Sequence, residues 1–260
     1  MSTQHNRGAV GIVPAAGRGT RLGRLPFCKE LYPLGRKSDA DGNPTEGWRV
    51  VCDHVIEQMA HAGVDRVFIV LGRGKSAIME YFGGGGRLGL HIAYLLQEEL
   101  RGMPFAIDLA HSWLRDETVL FGMPDTVIRP KSAFRELLEA HQMTSADLTL
   151  GVFPTAEPQR FGMVELTEDG RVTASIDKPS KTELRYMWGL ACWSPSFGTL
   201  LSDYLKRLPP HRHEVVLSAG FQHAIERGLK VRAVRFDDGE YLDIGTAESL
   251  RIALEKFGRE

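Results

Sequence analysis

The chain has 260 residues, 43% of them hydrophobic, and a formal net charge of −1. This length suits one α/β domain, and the nearly neutral charge argues against a nucleic-acid partner or a membrane partner. The three cysteines show no Cys-x-x-Cys spacing, and no apolar run reaches the length of a membrane span. We therefore expect a reduced, cytoplasmic protein without a zinc site.

The first part of the chain alternates predicted strands with predicted helices. Apolar runs predict strands at 10–13, 67–71, 91–96, 118–122 and 147–153, and helical periodicity predicts helices at 51–62, 77–82, 104–114 and 132–143. The polar stretch 38–47 contains a turn sequence, DGNP, and predicts a surface insertion. Such alternation is typical of a mostly parallel sheet that helices cover on both faces.

The pattern changes at Phe161. Two short runs, 161–166 and 171–176, flank an EDG turn and predict a β-hairpin. Later elements are predicted at 187–193, 196–207, 214–227, 231–236 and 247–254. No linker separates this part from the first, so we expect one three-layer α/β domain over residues 1–260.

The loop after the first predicted strand has the sequence AAGRGTR from Ala15 to Arg21. Its two glycines let backbone N–H groups approach a ligand, and consecutive N–H groups form a concave anion site. The basic residues in or near this loop are Arg18, Arg21, Arg24 and Lys29. A Walker loop is excluded because no Gly-Lys-Ser/Thr follows, and the spacing to Gly23 does not fit the dinucleotide fingerprint. The pattern indicates a polyphosphate-binding loop.

Two aspartates stand at the ends of separate predicted strands. Ligands of open α/β sheets bind beyond the carboxyl ends of the strands. Asp125 follows the run 118–122 and a proline, where a carboxylate can hold a hard cation or cap a helix. Asp243 stands before Thr246, which reads as the N-cap of the last helix and leaves the aspartate without a structural role.

Several ordered motifs together resemble the sugar-phosphate nucleotidyltransferases. The segments GRGTR, from Gly17, and CKELYP, from Cys28, are similar to that family's Gly-x-Gly-Thr-Arg and Pro-Lys-x-Leu-x-Pro. The opening PAAG and the Lys-Glu pair are most similar to the UTP–glucose-1-phosphate uridylyltransferase branch. Cys28 stands where the family usually has proline, and the gap from Arg21 to Lys29 is two residues shorter than usual. The resemblance implies that Arg21 and Lys29 are catalytic and bind the triphosphate.

The resemblance also implies how the nucleotide is bound. The segment from Gln97 to Gly102 is similar to the family's base-reading segment, and an amide complements a pyrimidine edge that bears N3–H and a carbonyl. The residues implied to bind the nucleotide are Ala15, Ala16, Gly17, Gly19, Thr20, Gln97 and Gly102. Asp125 and Asp243 match the two aspartates that coordinate Mg²⁺ in the family. A strand-end surface amide is the alternative interpretation of Gln97.

Three further motifs resemble the family's sugar-side motifs. They are Phe161-Gly162, Asp177-Lys178-Pro179 and Trp188-Gly189. The resemblance implies that Lys178 is catalytic and holds the sugar phosphate, and that the others bind the sugar. Asp177 stands where glutamate is usual, and Trp188 stands where a small residue is usual. Trp188 could equally point into the core.

The implied fold is a single Rossmann-like domain, similar to GT-A nucleotidyltransferases, with a mixed, mostly parallel central sheet. Its nucleotide-binding half would span about 9–154 and its sugar-phosphate-binding half about 155–260. The implied reaction is Mg²⁺-dependent transfer of a nucleoside monophosphate from UTP or dTTP to a sugar 1-phosphate, with glucose 1-phosphate favoured. The implied partners are these two substrates, and a homodimer is compatible with the sequence.

Three other functions compete with this one. The chain could be a non-catalytic regulatory subunit of the same fold, or it could use a non-sugar phosphate such as phosphocholine. A metal-dependent glycosyltransferase of related fold would need a strand-end Asp-x-Asp, and the strand end here reads PDTV. The sequence leaves open which sugar is used and whether UTP or dTTP is the donor.

Overall fold

The computed structural model describes residues 8–23, 25–38, 44–114, 116–209 and 214–258. Within these ranges the strands are β1 (Val10–Ala15), β2 (Pro33–Ser38), β3 (Pro44–Val50), β4 (Arg66–Gly72), β5 (His91–Gln97), β6 (Val119–Phe121), β7 (Thr126–Arg129), β8 (Leu148–Pro154), β9 (Gly162–Leu166), β10 (Val172–Asp177), β11 (Tyr186–Trp193), β12 (Val231–Arg235) and β13 (Glu240–Asp243). The α-helices are α1 (Val51–His61), α2 (Ser76–Phe82), α3 (Met103–His111), α4 (Ala133–Thr144), α5 (Pro195–Lys206), α6 (Leu217–Glu226) and α7 (Ala247–Phe257). Short 3-10 turns cover Thr20–Leu22, Lys29–Leu31, Gly86–Leu88 and Pro158–Arg160.

The described strands form one large mixed sheet and two small ones. The large sheet has the order β10-β9-β11-β6-β1-β4-β5, and β8 pairs with both β11 and β12. Strands β6, β1, β4 and β5 run parallel, so their carboxyl ends meet at one edge. Strand β11 runs antiparallel to β6, β8 and β9. Strand β1 therefore delivers its following loop to the middle of the ligand-binding edge.

Helices cover both faces of the sheet, and the alternation of side chains along β1 explains why. Val13 packs into a core with residues of α1, α2 and α4, whereas its neighbour Ile12 packs into a second core with residues of α3, α5 and α6. A strand buried on both faces reads as a continuous apolar run, as β1 does. The expected α/β class, three layers and mixed sheet are confirmed.

The stretch 38–47, which the sequence predicts to be a surface insertion, contains the end of β2 and, at residues 44–47, the start of β3. These two strands pair antiparallel in a small sheet of their own, while residues 39–43 lie outside the described residues. A short strand that the sequence did not predict, β7, pairs antiparallel with β13. Helix α7 packs beside this pair through Ala253 and Phe257. Within the described ranges, no helix combines the length and the apolar character needed to cross a membrane.

Candidate active site

The glycine-rich loop after β1 lines a cavity of about 540 Å³. Gly19 has φ +67°, a left-handed conformation that favours glycine, and a Cβ there would lie 3.2 Å from Cδ of Lys29. The loop therefore turns tightly while the Lys29 side chain passes over it. The predicted residues that line this cavity are Ala16, Gly17, Gly19, Thr20, Arg21, Lys29, Gln97, Gly102 and Asp125. Ala15 is buried at the end of β1, and Arg24 lies outside the described residues.

Lys29 and Asp125 form an ion pair at the floor of the cavity, with Nζ of Lys29 donating to Oδ2 of Asp125. Burial lowers the pKa of the Lys29 ammonium, but the carboxylates of Asp125 and Glu30 together raise it by more, so its net shift is upward. Lys29 therefore remains a cation at neutral pH. A charged amine here is suited to bind phosphate oxygens.

The pairing of β7 with β13 brings Asp125 and Asp243 together. Asp243 lies opposite Thr126 in this ladder, and the N–H of Ile244 donates to the carbonyl of Asp125 at 2.9 Å. Burial raises the pKa of the Asp243 carboxyl, and the negative charge of Asp125 raises it further. Two carboxylates therefore share one partly buried site. They could hold one hard cation, because Mg²⁺ is commonly bound by one or two carboxylates together with substrate phosphates.

Two arginines stand beside Asp243. Nη2 of Arg160 lies 3.6 Å from Oδ1 of Asp243. A Cβ on Gly245 would lie 3.1 Å from Oδ2 of Asp243 and 3.2 Å from Nη2 of Arg21, so the glycine leaves space between these two groups. Both arginines lower the pKa of Asp243 and so oppose the effect of burial. Within the described ranges, no cluster of three or more His, Cys, Asp or Glu has metal-binding geometry.

The sequence interpretation missed Arg160 and Gly245. Arg160 directly precedes the Phe161-Gly162 motif, and Gly245 follows Asp243 by two residues. For Arg160 the only signal was its position next to a motif, which does not tell which way a side chain points. Gly245 belongs to the segment from Glu240 to Thr246 that resembles the family's Trp-Leu-Asp-x-Gly-Thr, but the resemblance gave a role to Asp243 alone.

Gln97 and Gly102 lie together at the end of β5. The Gln97 side chain is buried, and its Nε2 donates to the carbonyl of Gly102 at 3.3 Å. Gly102 has φ +111°, and a Cβ there would lie 2.3 Å from the carbonyl oxygen of Val215. Only glycine fits this close approach of two backbones. The buried position and the lining of the cavity do not fit the alternative interpretation of Gln97 as a surface amide.

A second ion pair in the cavity wall was not predicted. Glu30 is 1% exposed, and Nζ of Lys75 donates to its Oε1 at 2.6 Å. The other oxygen, Oε2, is buried and has no hydrogen-bond partner among the described residues. Lys75 is the N-cap of α2 and lies in the loop after β4. The ion pair therefore connects this loop to the 3-10 turn Lys29–Leu31, which contains Glu30.

On the sugar side, Lys178 and Phe161 are neighbours. The N–H of Lys178 donates to the carbonyl of Phe161 at 2.9 Å, and the Lys178 side chain is exposed. Lys178 has φ +43°, a conformation that costs energy for a residue with a side chain and that often marks a functional site. Phe161 packs edge-to-face against Tyr241, two residues before Asp243, at a ring distance of 6.3 Å. Asp177, at the end of β10, is partly exposed beside Lys178.

Trp188 lies in the core, not on a cavity wall. Its side chain is buried against Phe221, and its Nε1 donates to Oγ of Ser218 at 2.9 Å. A Cβ on Gly162 would lie 2.1 Å from this nitrogen, so Gly162 makes room for the indole. Gly189 is likewise covered by Tyr241, whose Cδ2 would lie 2.5 Å from an added Cβ. The placement of Trp188 corrects the expectation of a sugar contact in favour of the core interpretation.

Comparison with known proteins identifies relatives of the chain. The chain is 24% identical over 246 residues to the low-salt glycan biosynthesis nucleotidyltransferase Agl11 of Haloferax volcanii, covering 92% of this chain and 63% of that protein. It is also 24% identical over 246 residues to a glucose-1-phosphate thymidylyltransferase of Streptomyces antibioticus, with the same two coverages of 92% and 63%. The chain thus spans less than two thirds of the length of these curated relatives.

Among solved structures, a UDP-glucose pyrophosphorylase complexed with UDP-glucose superposes with a TM-score of 0.77 at 20% identity, covering 95% of this chain and 97% of that one. This likeness shows that the fold is shared. The profile of the family described as nucleotidyl transferase matches residues 10–259. The chain therefore belongs to the nucleotidyl transferase family.

Proposed function

We propose that the chain transfers a nucleoside monophosphate from UTP or dTTP to a sugar 1-phosphate, with glucose 1-phosphate as the favoured acceptor. One observation carries this proposal: Asp125 and Lys29 form an ion pair in the cavity that the glycine-rich loop lines, and the β7–β13 pair brings Asp243 next to Asp125. This combination suits a bound polyphosphate with its cation. The similarity to the glucose-1-phosphate thymidylyltransferase of Streptomyces antibioticus supports a sugar 1-phosphate acceptor.

The reaction needs charge neutralisation more than proton transfer. A phosphate oxygen of the sugar 1-phosphate would attack the α-phosphorus, forming a new P–O bond while the bond from that phosphorus to the leaving pyrophosphate breaks. The nucleophile is already anionic near neutral pH, so no general base is required. The barrier comes from repulsion between two polyanions and from charge growing on the leaving group, which positioning and nearby cations reduce.

Each group of residues would contact a different part of the substrates or the cation. Arg21 and Lys29, at the loop, would bind the pyrophosphate portion of the donor, and Lys178 would orient the attacking phosphate. Asp125 and Asp243 would hold Mg²⁺, which when bound neutralises charge on the phosphate oxygens of the donor. Lys29 is paired with Asp125 in the free protein, so its ammonium is already positioned at the place where the donor would bind.

Gln97 and Gly102 support the choice of a pyrimidine donor. A side-chain amide offers one donor and one acceptor, which complements the N3–H and carbonyl edge shared by uracil and thymine. Gln97 is held by its bond to Gly102 at 3.3 Å, which fixes the direction in which the amide presents its oxygen. We therefore expect UTP and dTTP to be used in preference to ATP and GTP.

A matrix of four nucleoside triphosphates against several sugar 1-phosphates, read by pyrophosphate release and by mass of the product, tests the proposal. Phosphocholine belongs in the matrix as a non-sugar acceptor. We expect product with UTP or dTTP and glucose 1-phosphate, and only in the presence of Mg²⁺. Turnover with phosphocholine alone would favour the non-sugar alternative. Absence of turnover with every pair would favour a non-catalytic regulatory subunit.

A further inference from the structure

Arg160 lies where the two substrates of the proposed reaction would meet. It ends the 3-10 turn Pro158–Arg160 between β8 and β9. Its Nη1 contacts Oε2 of Glu157 at 2.7 Å, and its Nη2 lies 3.6 Å from Oδ1 of Asp243. Its Cζ lies 5.5 Å from the ring centre of Phe161. The guanidinium thus connects the segment that begins the sugar-side motifs to Asp243, a carboxylate of the proposed cation site.

The segment that carries Arg160 is also in contact with the segment that carries Lys178. The carbonyl of Phe161, the next residue after Arg160, accepts the N–H of Lys178 at 2.9 Å. The backbone therefore joins the turn before β9 to the end of β10, and each of these segments supplies one basic residue. Two basic residues on adjoining segments are suited to bind an anion, and a guanidinium fork matches two phosphate oxygens.

The surroundings of Arg160 allow its guanidinium to leave the ion pair with Asp243 and to bind a phosphate instead. Nη2 of Arg160 lies 3.6 Å from Oδ1 of Asp243, which is an ion-pair contact beyond hydrogen-bond distance. The side chain of Arg160 remains 33% exposed, so it can turn from the carboxylate toward the cleft. A divalent cation on Asp243 would repel the guanidinium, and an incoming phosphate would attract it.

Building on the proposed function, we propose that Arg160 is a phosphate-binding residue of the acceptor subsite. In the free protein its guanidinium pairs with Asp243. With a divalent cation on the carboxylates, it pairs with the phosphate of the sugar 1-phosphate, next to Lys178. Arg160 would therefore weaken cation binding to the free protein and strengthen acceptor binding to the cation-loaded protein.

Two equilibrium measurements on the full chain test this exchange. The first is Mn²⁺ binding to the free protein, followed by electron paramagnetic resonance. The second is calorimetric binding of glucose 1-phosphate in the presence of Mn²⁺ and a non-hydrolysable UTP analogue. The variants are R160Q, which removes the charge, and R160K, which keeps a cation without the fork. The matched control is R251Q, because Arg251 forms exposed ion pairs with Glu248 and Glu255 on α7.

We expect R160Q to bind Mn²⁺ about fivefold more tightly than the wild type, because a competing cation has been removed. The same variant should bind glucose 1-phosphate at least about tenfold more weakly, since a charge-assisted hydrogen bond is lost. R160K should recover part of the acceptor affinity, and R251Q should match the wild type in both measurements. A purely structural arginine would not move the two affinities in opposite directions.

Three results would overturn the proposal. The first is that R160Q matches R251Q in both measurements. The second is that R160Q weakens Mn²⁺ binding, which would mean that Arg160 supports the cation site. The third is an equal loss of affinity for the UTP analogue and for glucose 1-phosphate, which would remove the assignment to the acceptor. If R160Q does not fold, R160K replaces it in the acceptor measurement, where we expect weaker binding of glucose 1-phosphate than in the wild type, and binding equal to that of R251Q would overturn the proposal. Wild-type protein that binds glucose 1-phosphate but turns over no nucleotide would overturn the proposed function and leave the exchange supported.

Discussion

The two walls of the cleft are built on different kinds of strand pairing. The nucleotide-side wall rises from the carboxyl ends of the parallel strands β1, β4 and β5. We call the segments that carry the proposed sugar-side motifs the sugar-side wall; they belong to β9, β10 and β11, which pair antiparallel. On the first wall the candidate residues stand at the last position of a strand or in the loops after the strands. On the second wall several of them lie inside the strands themselves.

This difference decides how freely a side chain can face the ligand. Gln97, the last residue of β5, and the loop after β1 both line the cavity. Trp188 stands within β11, where alternation along the strand turns its side chain into the core. A motif in a loop beyond a parallel strand is therefore a better guide to a ligand contact than a motif within an antiparallel strand.

The largest effect is expected at the two aspartates that lie where the two walls meet. Asp125→Asn and Asp243→Asn should each lower turnover about a thousandfold, because an isosteric amide keeps the shape but loses the charge that holds the cation. Pyrophosphate release at saturating Mg²⁺ measures the loss, and thermal unfolding shows whether the fold is kept. Asp203→Asn, an exposed residue on α5 that pairs with Lys206, is the control. Near-normal Mg²⁺-dependent turnover in either variant would contradict the two-aspartate site.

The next test asks how much the buried ion pair of Glu30 with Lys75 stabilises the nucleotide-side wall. Lys75→Met should cost about 3 kcal/mol of unfolding free energy, because it leaves the carboxylate of Glu30 buried without its partner. Urea unfolding measures this loss. The double variant Glu30→Gln, Lys75→Met removes both charges and should recover most of the stability. A single-variant loss below about 1 kcal/mol would mean that water solvates the pair and that the nucleotide-side wall does not depend on it.

The strand–helix alternation and the loop motif could be predicted because both are local in the sequence. Buried parallel strands read as apolar runs, and the glycines and basic residues of the loop after β1 stand next to one another. The ranges predicted for most strands accordingly agree with the structure to within one or two residues. The division into a nucleotide-binding half and a sugar-phosphate-binding half stays a prediction.

The sequence alone could not show which site residues come together, because their contacts join distant parts of the chain. Strand β7 has only four residues, and its pairing with β13 joins distant parts of the chain. No periodicity reveals such a pair, although it decides that Asp125 meets Asp243. The ion pairs of Glu30 with Lys75 and of Arg160 with Asp243 are non-local for the same reason. Trp188 is buried because both faces of β11 are covered, and a lone aromatic residue in the sequence does not show this.

A smaller effect tests the nucleotide-side wall at the base. Gln97→Ala should reduce the preference for UTP over GTP about tenfold, because the variant loses one or two hydrogen bonds to the pyrimidine edge. The measurement is kcat/KM for both nucleotides at low concentration. Gln142→Ala, an exposed amide on α4, serves as the control. If the wild type uses GTP and UTP equally well, or if Gln97→Ala leaves the preference unchanged, Gln97 does not read the base.

The smallest effect concerns the sugar-side wall. It tests whether Trp188 is a core residue or a ligand contact. Trp188→Phe should lower the unfolding free energy by about 1 kcal/mol, because phenylalanine cannot donate to the buried hydroxyl of Ser218. Adding Ser218→Ala removes the unpaired hydroxyl and should recover part of this loss. Glucose 1-phosphate binding should stay unchanged in both variants, since the indole packs against Phe121 and Phe221 within the core. Broader sugar acceptance with unchanged stability would instead place the indole at the ligand, and the rule that antiparallel strands turn such residues inward would fail at this position.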